Sequence, residues 1–398
     1  MKVVIIHTDF RIYWPARLTA LHSYLEKYNM ELHIVEIAGA GSPYAFAKRE
    51  KQVISTLNWH ILFPNEKMEE LKGRTIKKQV DRILDTLLPD VVIAGAIAFP
   101  SGALSVAWTS RNKCKMICFD DSRIEDIIRS SWINKIKQCI YHGVDAMLYP
   151  APAWEDTGCA WEFKKEQLFY GIDVVDNTFW KTKTLNKNTC EKEYFLSVGR
   201  LLERKNFITL LKAYKQYKMQ CNDSAWNLII VGDGPERELL VKYIQLNKLE
   251  ESVILLPFLQ QKDLMFFYQN ASAFVLASTQ ETWGLVINEA MASGLPVIVS
   301  NKCGAASTLI EQGRNGYTFT PSNESDLADC LLNFYRLSDE QKNRMREASY
   351  DLIADWGIER FCSGVYDAIQ YVVHHPKKKL SWIDSVMIAL WKGRYRPA

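Results

Sequence analysis

Two cations and two carboxylates stand out in the second half of the chain, three of them where an apolar run gives way to a polar loop and the fourth just beyond, in an apolar run. Arg200 and Lys205 follow the run Tyr194–Val198, with Gly199 between. Cations at the C-terminal end of a strand suit a diphosphate: a guanidinium forks onto two oxygens and an ammonium adds a compact charge. A solvated basic loop is the other reading of the same residues. Glu281 and Glu289 flank Gly284. A helix opening near Gly284 would aim its free N–H groups at an anion. Glu289 lies inside that helix, in a run that continues as AMASG, where an unpaired carboxylate is costly. A capping or core carboxylate is the structural alternative. Val231-Gly232-Asp233-Gly234-Pro235 places glycines after another strand, where backbone can approach a ligand closely or simply turn. Lys302–Ser307 is a further small-residue turn after a strand.

These junctions need a scaffold of short buried strands and covering helices, and the pattern predicts one in each half. In the first half, Val3–Ile6, Glu31–Ile37, Val91–Ile97 and Lys115–Phe119 read as strands. Ala16–Tyr28, Ser101–Arg111 and Ile76–Leu88 read as helices, the last ending at Pro89. The polar stretch 178–193 reads as a linker. The alternation then restarts. Strands are expected at Tyr194–Val198, Trp226–Val231, Val253–Leu256, Ala273–Ala277 and Val297–Ser300. Helices are expected at Phe207–Lys218, Glu236–Asn247, Lys262–Asn270 and Gly284–Ser293. Alternating elements of this kind imply parallel sheets covered on both faces. The expected fold class is α/β, two doubly wound Rossmann-like domains facing across a cleft, with ligands beyond the C-terminal ends of the strands.

In order and spacing, the run from Ser197 to about Phe319 resembles the C-terminal domain of the family 4 glycosyltransferases, the glycosyl transferases group 1, which have the GT-B fold. The most specific element is Glu-x7-Glu, here Glu281 to Glu289 within ETWGLVINEAMASGLPVI; GR-x4-K at Gly199–Lys205 and GDGP at Gly232–Pro235 add to it. The resemblance implies a retaining, metal-independent transfer of sugar from a nucleotide diphosphate sugar, with no cofactor. It implies that Arg200 and Lys205 neutralise the leaving diphosphate, that Glu281 holds donor-sugar hydroxyls, and that Gly284 and Leu285 offer backbone N–H groups to phosphate. Glu289 would take the ribose hydroxyls, and Gly199, Gly232, Gly234 and Phe258 would line the donor site. Three departures from the family pattern bear on donor identity. Ala305 and Thr308 stand where a glycine and an acid are usual. Pro257 replaces a common glycine. The loop His7–Tyr13 lacks paired glycines.

The domain boundaries expected are 1–177 for an acceptor-binding domain, 178–193 for the linker, and 194–355 for the donor-binding domain. Residues 356–373 would form a helix crossing back to the first domain, and 374–398 a basic amphipathic tail. In the first domain, Asp120, Asp121 and Arg123 follow the strand Lys115–Phe119 and are candidates for acceptor or sugar binding, as is Arg11; a capped helix start is the alternative. His7 and His142 are read as structural.

The tail holds Lys377, Lys378, Lys379, Lys392, Arg394 and Arg396 against Asp384, a charge of +5, so the body carries −2 of the total +3. A near-neutral body argues against general nucleic-acid binding. Within the tail, Leu380, Ile383, Val386, Met387, Leu390 and Trp391 share a helical face between basic flanks, the composition of an interfacial helix on anionic lipid. Packing on the protein body is the competing use, and Trp132–Lys137 is a second candidate contact. Nine scattered cysteines, odd in number and without CxxC, read as reduced thiols. The short run at Met1–Ile6 reads as a strand, not a leader. The location expected is the cytoplasm, including the cytoplasmic face of a membrane. The sequence therefore points to a glycosyltransferase acting on a glycan or lipid-linked acceptor, in bacterial polysaccharide or surface-glycan synthesis, with a UDP- or GDP-sugar as the expected donor and an anionic membrane surface as a candidate partner. A nucleotide-sugar hydrolase or epimerase of the same fold, or a non-catalytic nucleotide-sugar scaffold, is the alternative.

Overall fold

The computed structural model describes residues 1–40, 55–127, 129–181 and 193–395. It divides into two units, Met1–Val174 with Ile358–Ala398, and Val175–Gly357.

The first unit is built on a seven-stranded sheet. Its strands are β1 (Lys2–His7), β2 (Glu31–Ala38), β3 (Asn58–Phe63), β4 (Val91–Ala94), β5 (Lys115–Phe119), β6 (Ala146–Tyr149) and β7 (Leu168–Tyr170). All pair in parallel, in the order β3-β2-β1-β4-β5-β6-β7. β1 sits third from one edge, and Val3–Ile6 are wholly buried because helices cover both faces. The sequence pattern misses β3, β6 and β7; β7 is only three residues long and carries no periodicity to read.

The helix Ile358–His374 belongs to this unit. Phe361, Val365, Ile369 and Val372 recur at helical spacing and enter its core beside Leu18, Leu21 and Leu25 of the helix Trp14–Glu26. Full burial of each such side chain contributes about 1.5–3 kcal/mol, which is ample to hold the segment.

The second unit contains β8 (Tyr194–Val198), β9 (Asn227–Val231), β10 (Val253–Leu256), β11 (Ala273–Leu276), β12 (Val297–Ser300) and β13 (Gly316–Phe319). They form a parallel sheet in the order β10-β9-β8-β11-β12-β13. The order β3-β2-β1-β4-β5-β6 of the first unit recurs here strand for strand. Its core joins Phe195, Leu228 and Ile230 of the sheet to Leu210, Tyr214 and Tyr217 of the helix Phe207–Cys221.

Two boundaries differ from those read in the sequence. Residues 175–177 lie in the second unit, and Thr178–Lys181 belongs to the short helix Asn177–Lys181. Trp180 explains why: it is buried, with its ring 5.2 Å from Tyr268, and Ser293 Oγ donates to its carbonyl at 3.5 Å. Of the expected linker, 182–192 lie outside the described residues. At the other end, Trp356 stays in the second unit, 5.5 Å from the Trp283 ring.

Candidate functional site

Beyond the C-terminal ends of β8 and β11, two loops bring the expected catalytic groups together. After β8 the chain passes Gly199 and the half-buried Arg200, then a single 3-10 turn at Glu203–Lys205. Asn206 closes that turn in the left-handed region at φ 58°, a conformation asparagine tolerates better than most residues. Its Nδ2 donates to the carbonyls of Ala277 at 3.1 Å and Pro321 at 3.0 Å. Thr209 Oγ1 donates to its Oδ1 at 2.7 Å. Asn206 thus clamps the β8 loop to the end of β11 and aims Lys205 across the gap. The sequence pattern does not single out Asn206; it stands at the N-cap position of the helix Phe207–Cys221, but its side chain bonds to other loops instead of capping.

Lys205 Nζ forms an ion pair with Glu281 Oε2. Both side chains keep some exposure, 11% and 17%. Ser278 Oγ adds a hydrogen bond to the same carboxylate oxygen at 3.3 Å. The Glu281 loop is pinned on its other side to the turn after β12. Glu281 N donates to the Lys302 carbonyl at 3.2 Å, Gly304 N to the Glu281 carbonyl at 2.9 Å, and Ala305 N to the Trp283 carbonyl at 3.0 Å. Burial and the charge of Glu281 push the Cys303 thiol well up, so Cys303 stays protonated and acts as packing.

Gly284 opens the helix Leu285–Ala292 at φ 101°, where a side chain is strained. A Cβ there would also press on Glu281 Cγ at 3.3 Å. Inside this helix Glu289 is buried, and the Tyr268 hydroxyl donates to its Oε2 at 2.8 Å. Tyr268, missed in the sequence, sits between Trp180 and Phe274.

The glycine turn after β9 serves close approach. A Cβ on Gly232 would lie 1.9 Å from the Gly199 carbonyl oxygen, and one on Gly234 2.4 Å from that of Leu201. Asp233 between them accepts from Phe258 N at 3.0 Å and pairs with Arg237 at 3.3 Å. Phe258, half-buried, is thereby held beside the glycine turn.

In the first unit the candidates are engaged differently. Arg11 is buried; its Nη2 donates to the Gly39 carbonyl at 2.9 Å and its Nε lies 3.5 Å from Asp9 Oδ1. It braces two loops rather than facing solvent. Asp120 Oδ1 accepts from Ser122 N at 2.9 Å and Ser122 Oγ at 2.6 Å, and Oδ2 accepts from Tyr141 at 3.4 Å. The Asp121 carbonyl accepts from Trp154 Nε1 at 3.0 Å. The Arg123 guanidinium covers the Trp154 ring at 4.2 Å. The patch therefore builds its own turn. His7 packs among Phe10, Trp14 and Phe119, and burial lowers its pKa to about 4, so the ring is neutral.

No group of three or more His, Cys, Asp or Glu side chains among the described residues is placed to hold a metal ion. No helix among them is long and apolar enough to cross a membrane.

Residues 179–352 match the family model of the glycosyl transferases group 1. An uncharacterized glycosyltransferase of Haemophilus influenzae is 34% identical over 173 residues, 43% of this chain and 47% of that protein. The alpha-monoglucosyldiacylglycerol synthase of Streptococcus pneumoniae is 24% identical over 277 residues, 67% of this chain and 61% of that protein. The chain thus spans about half of the first relative and less than two thirds of the second. Among solved structures, Anabaena Alr3699/HepE in complex with UDP superposes with a TM-score of 0.73 at 15% identity, over 93% of this chain and 100% of that one. At that identity the likeness speaks for architecture, two Rossmann-like units of the GT-B type.

Proposed function

With residues 179–352 placed among the glycosyl transferases group 1, we propose that the protein is a retaining, metal-independent glycosyltransferase that takes a sugar from a nucleotide diphosphate sugar. The observation that carries this reading is the Lys205–Glu281 pair, clamped by Asn206 and Ser278 beside the Gly284 helix start. An ammonium held at a helix N-terminus is suited to a diphosphate, and the carboxylate paired with it is suited to sugar hydroxyls.

In the reaction, the bond from the anomeric carbon to the diphosphate oxygen breaks and a bond to an acceptor hydroxyl oxygen forms. The electron pair leaves with the nucleoside diphosphate, and the hydroxyl proton passes to a leaving phosphate oxygen. Arg200 and Lys205 stabilise the charge that grows on the leaving group, which is where fixed cations contribute most. Donor phosphate competes with Glu281 for Lys205 and frees the carboxylate for the sugar. Glu289, its rotamer held by Tyr268, is the ribose acceptor, and Phe258 borders the nucleobase. No metal is needed because the two cations and the helix start supply the positive field.

The donor is a UDP- or GDP-sugar. The UDP complex of the Anabaena protein supports the first of these. The acceptor is a glycan or a lipid-linked sugar, and the name of the Streptococcus pneumoniae synthase supports the lipid-linked one, in glycolipid synthesis.

The test has two steps. A thermal-shift screen of UDP-, GDP- and ADP-sugars should raise the unfolding midpoint with one base, since a ligand at about 100-fold its Kd adds about 2.7 kcal/mol of stability. With that donor, Glu281→Gln should keep the shift and lose most sugar transfer. Full transfer by Glu281→Gln would remove Glu281 from the site. Donor turnover with no acceptor would instead favour a hydrolase or epimerase.

A further inference from the structure

The C-terminal helix Trp382–Leu390 docks on the first unit with its polarity reversed. The residues it buries are Asp384 and Ile388, and its outward face carries Trp382, Ile383, Val386 and Leu390. Trp382 is 77% exposed and Leu390 70%.

The docking is specific. Asp384 Oδ2 accepts from Ser381 N at 2.9 Å and Ser381 Oγ at 2.8 Å, while Oδ1 lies 2.9 Å from His142 Nδ1. His142 Nε2 is 2.9 Å from Glu162. Ile388 packs at Gly143, where an added Cβ would come within 3.0 Å of it. The flanks are fastened as well. Lys377 donates to the carbonyls of Thr109 and Cys114 at 2.6 and 2.8 Å. Trp391 Nε1 donates to the Ile97 carbonyl at 2.7 Å, and Arg394 N to the Ala98 carbonyl at 2.7 Å. A polar anchor this complete fixes which side faces out, and that side is apolar.

The neighbouring helix Ser131–Tyr141 packs against it and adds to the same kind of surface. Trp132 is 75% exposed and Ile133 44%. Two adjoining helices thus present tryptophans near their starts and aliphatic side chains beyond them, more apolar surface than scattered exposure explains. Among the described residues of the two helices and their immediate flanks the exposed charges are cations, Lys135, Lys378, Lys379, Lys392 and Arg394, and the exposed acid nearest the docking contact, Glu162, is paired with His142. The one acid within Trp382–Leu390, Asp384, is turned inward.

We infer that this two-helix face is a docking surface for an anionic lipid bilayer. The tryptophans and aliphatic side chains enter the headgroup–acyl boundary, and the flanking lysines and arginine lie at the level of the lipid phosphates. The cationic rim decides between lipid and a second copy of this chain, since two such faces placed together would repel. The tail thus serves both uses open to it in the sequence: its polar side packs on the body and its apolar side meets the membrane. Of the six residues read there as one face, Leu380, Met387 and Trp391 are half-buried and Ile383, Val386 and Leu390 are exposed, because the helix is rotated so that Ile388 points inward.

The experiment is sedimentation of the full chain with phosphatidylcholine vesicles and with vesicles in which about a third of the lipid is phosphatidylglycerol. No donor or acceptor is needed, so the result is separate from that of the transfer assay. The wild type should sediment with the anionic vesicles and stay largely free with the neutral ones. Trp132→Glu/Trp382→Glu/Leu390→Glu should stop sedimentation, and Lys378→Ala/Lys379→Ala/Lys392→Ala should weaken it by at least about tenfold. The altered side chains are exposed, so the unfolding midpoint should stay put and separate loss of docking from loss of fold. Wild type that stays free of anionic vesicles overturns the inference, as does a triple-Glu variant that binds like wild type. A solution dimer that the triple-Glu variant dissociates, with no vesicle binding, overturns it in favour of a second copy.

Discussion

The loop after β1 and the loop after β8 hold the same place in the same strand order, yet their polar groups meet different ends. After β1, Thr8, Asp9, Phe10 and Arg11 are all buried, and His7 is a neutral ring among aromatics. The Arg11 guanidinium goes to the Gly39 carbonyl. After β8, Arg200 and Lys205 stay partly open, and the hydrogen bonds that hold the loop are made by Asn206 instead. After β8 a neighbouring residue takes over the backbone bracing, and Lys205 is paired instead with another charged side chain, Glu281, which a ligand phosphate could displace. Where the charged group is itself the brace, it is spent.

Substitutions can break or sharpen this contrast. The largest effect expected is in Lys205→Ala, which should lower sugar transfer by about 10²–10³-fold, the loss typical of one transition-state charge donor. Its unfolding midpoint should hold; a large fall would make Lys205 a brace like Arg11. Gly232→Ala should come next, because its Cβ would overlap the Gly199 carbonyl oxygen at 1.9 Å. We expect about 1–3 kcal/mol of lost stability, with donor binding weakened in parallel, measured by denaturant melts and donor titration. An unperturbed Gly232→Ala would mean that the two loops can part at no cost, and the contrast with the β1 loop would lose this support.

Arg11→Met should invert the Lys205 result, costing about 1–3 kcal/mol of stability while donor affinity is kept. Transfer lost without a change in the melt would give Arg11 a role in chemistry and erase the contrast. The smallest effect concerns pH. Burial lowers His7 from 6.5 to about 4. The unfolded chain therefore takes up a proton before the folded one does, and stability falls as pH drops from about 6.5 to 4, then levels. The shift corresponds to about 3 kcal/mol at 1.36 kcal/mol per unit, of which about 1–2 should survive because the ring keeps some exposure. Melts of His7→Phe should be flatter than wild type over that window.

Much of the second unit is legible because its elements are short and strongly patterned. Tyr194–Val198, Val253–Leu256 and Val297–Ser300 agree with β8, β10 and β12 residue for residue. Arg200, Lys205 and Glu281 stand in the loops after such strands and Glu289 inside the helix that follows, so position together with the Glu-x7-Glu motif brings them out. β7 and the short helix Asn177–Lys181 are not legible, since so few residues carry no periodicity. Nor are the supporting residues. Asn206, Ser278 and Tyr268 act on groups 71, 3 and 21 residues away in the chain, and two of those three separations exceed any local pattern.

Residue types in order were enough to indicate two parallel sheets, a cationic strand end, and an apolar helix among basic flanks. They reflect local propensity and hydrophobic periodicity, which act over a few residues. Folding settled whether Arg11 and Lys205, the same kind of charge after the same kind of strand, would be tied to a backbone carbonyl or to a carboxylate. It also settled which side of the tail helix is outward. Those outcomes depend on which distant carbonyl or carboxylate arrives beside a side chain, as Gly39 does for Arg11 and His142 for Asp384. A buried polar group must find such a partner, and only the packed chain supplies it.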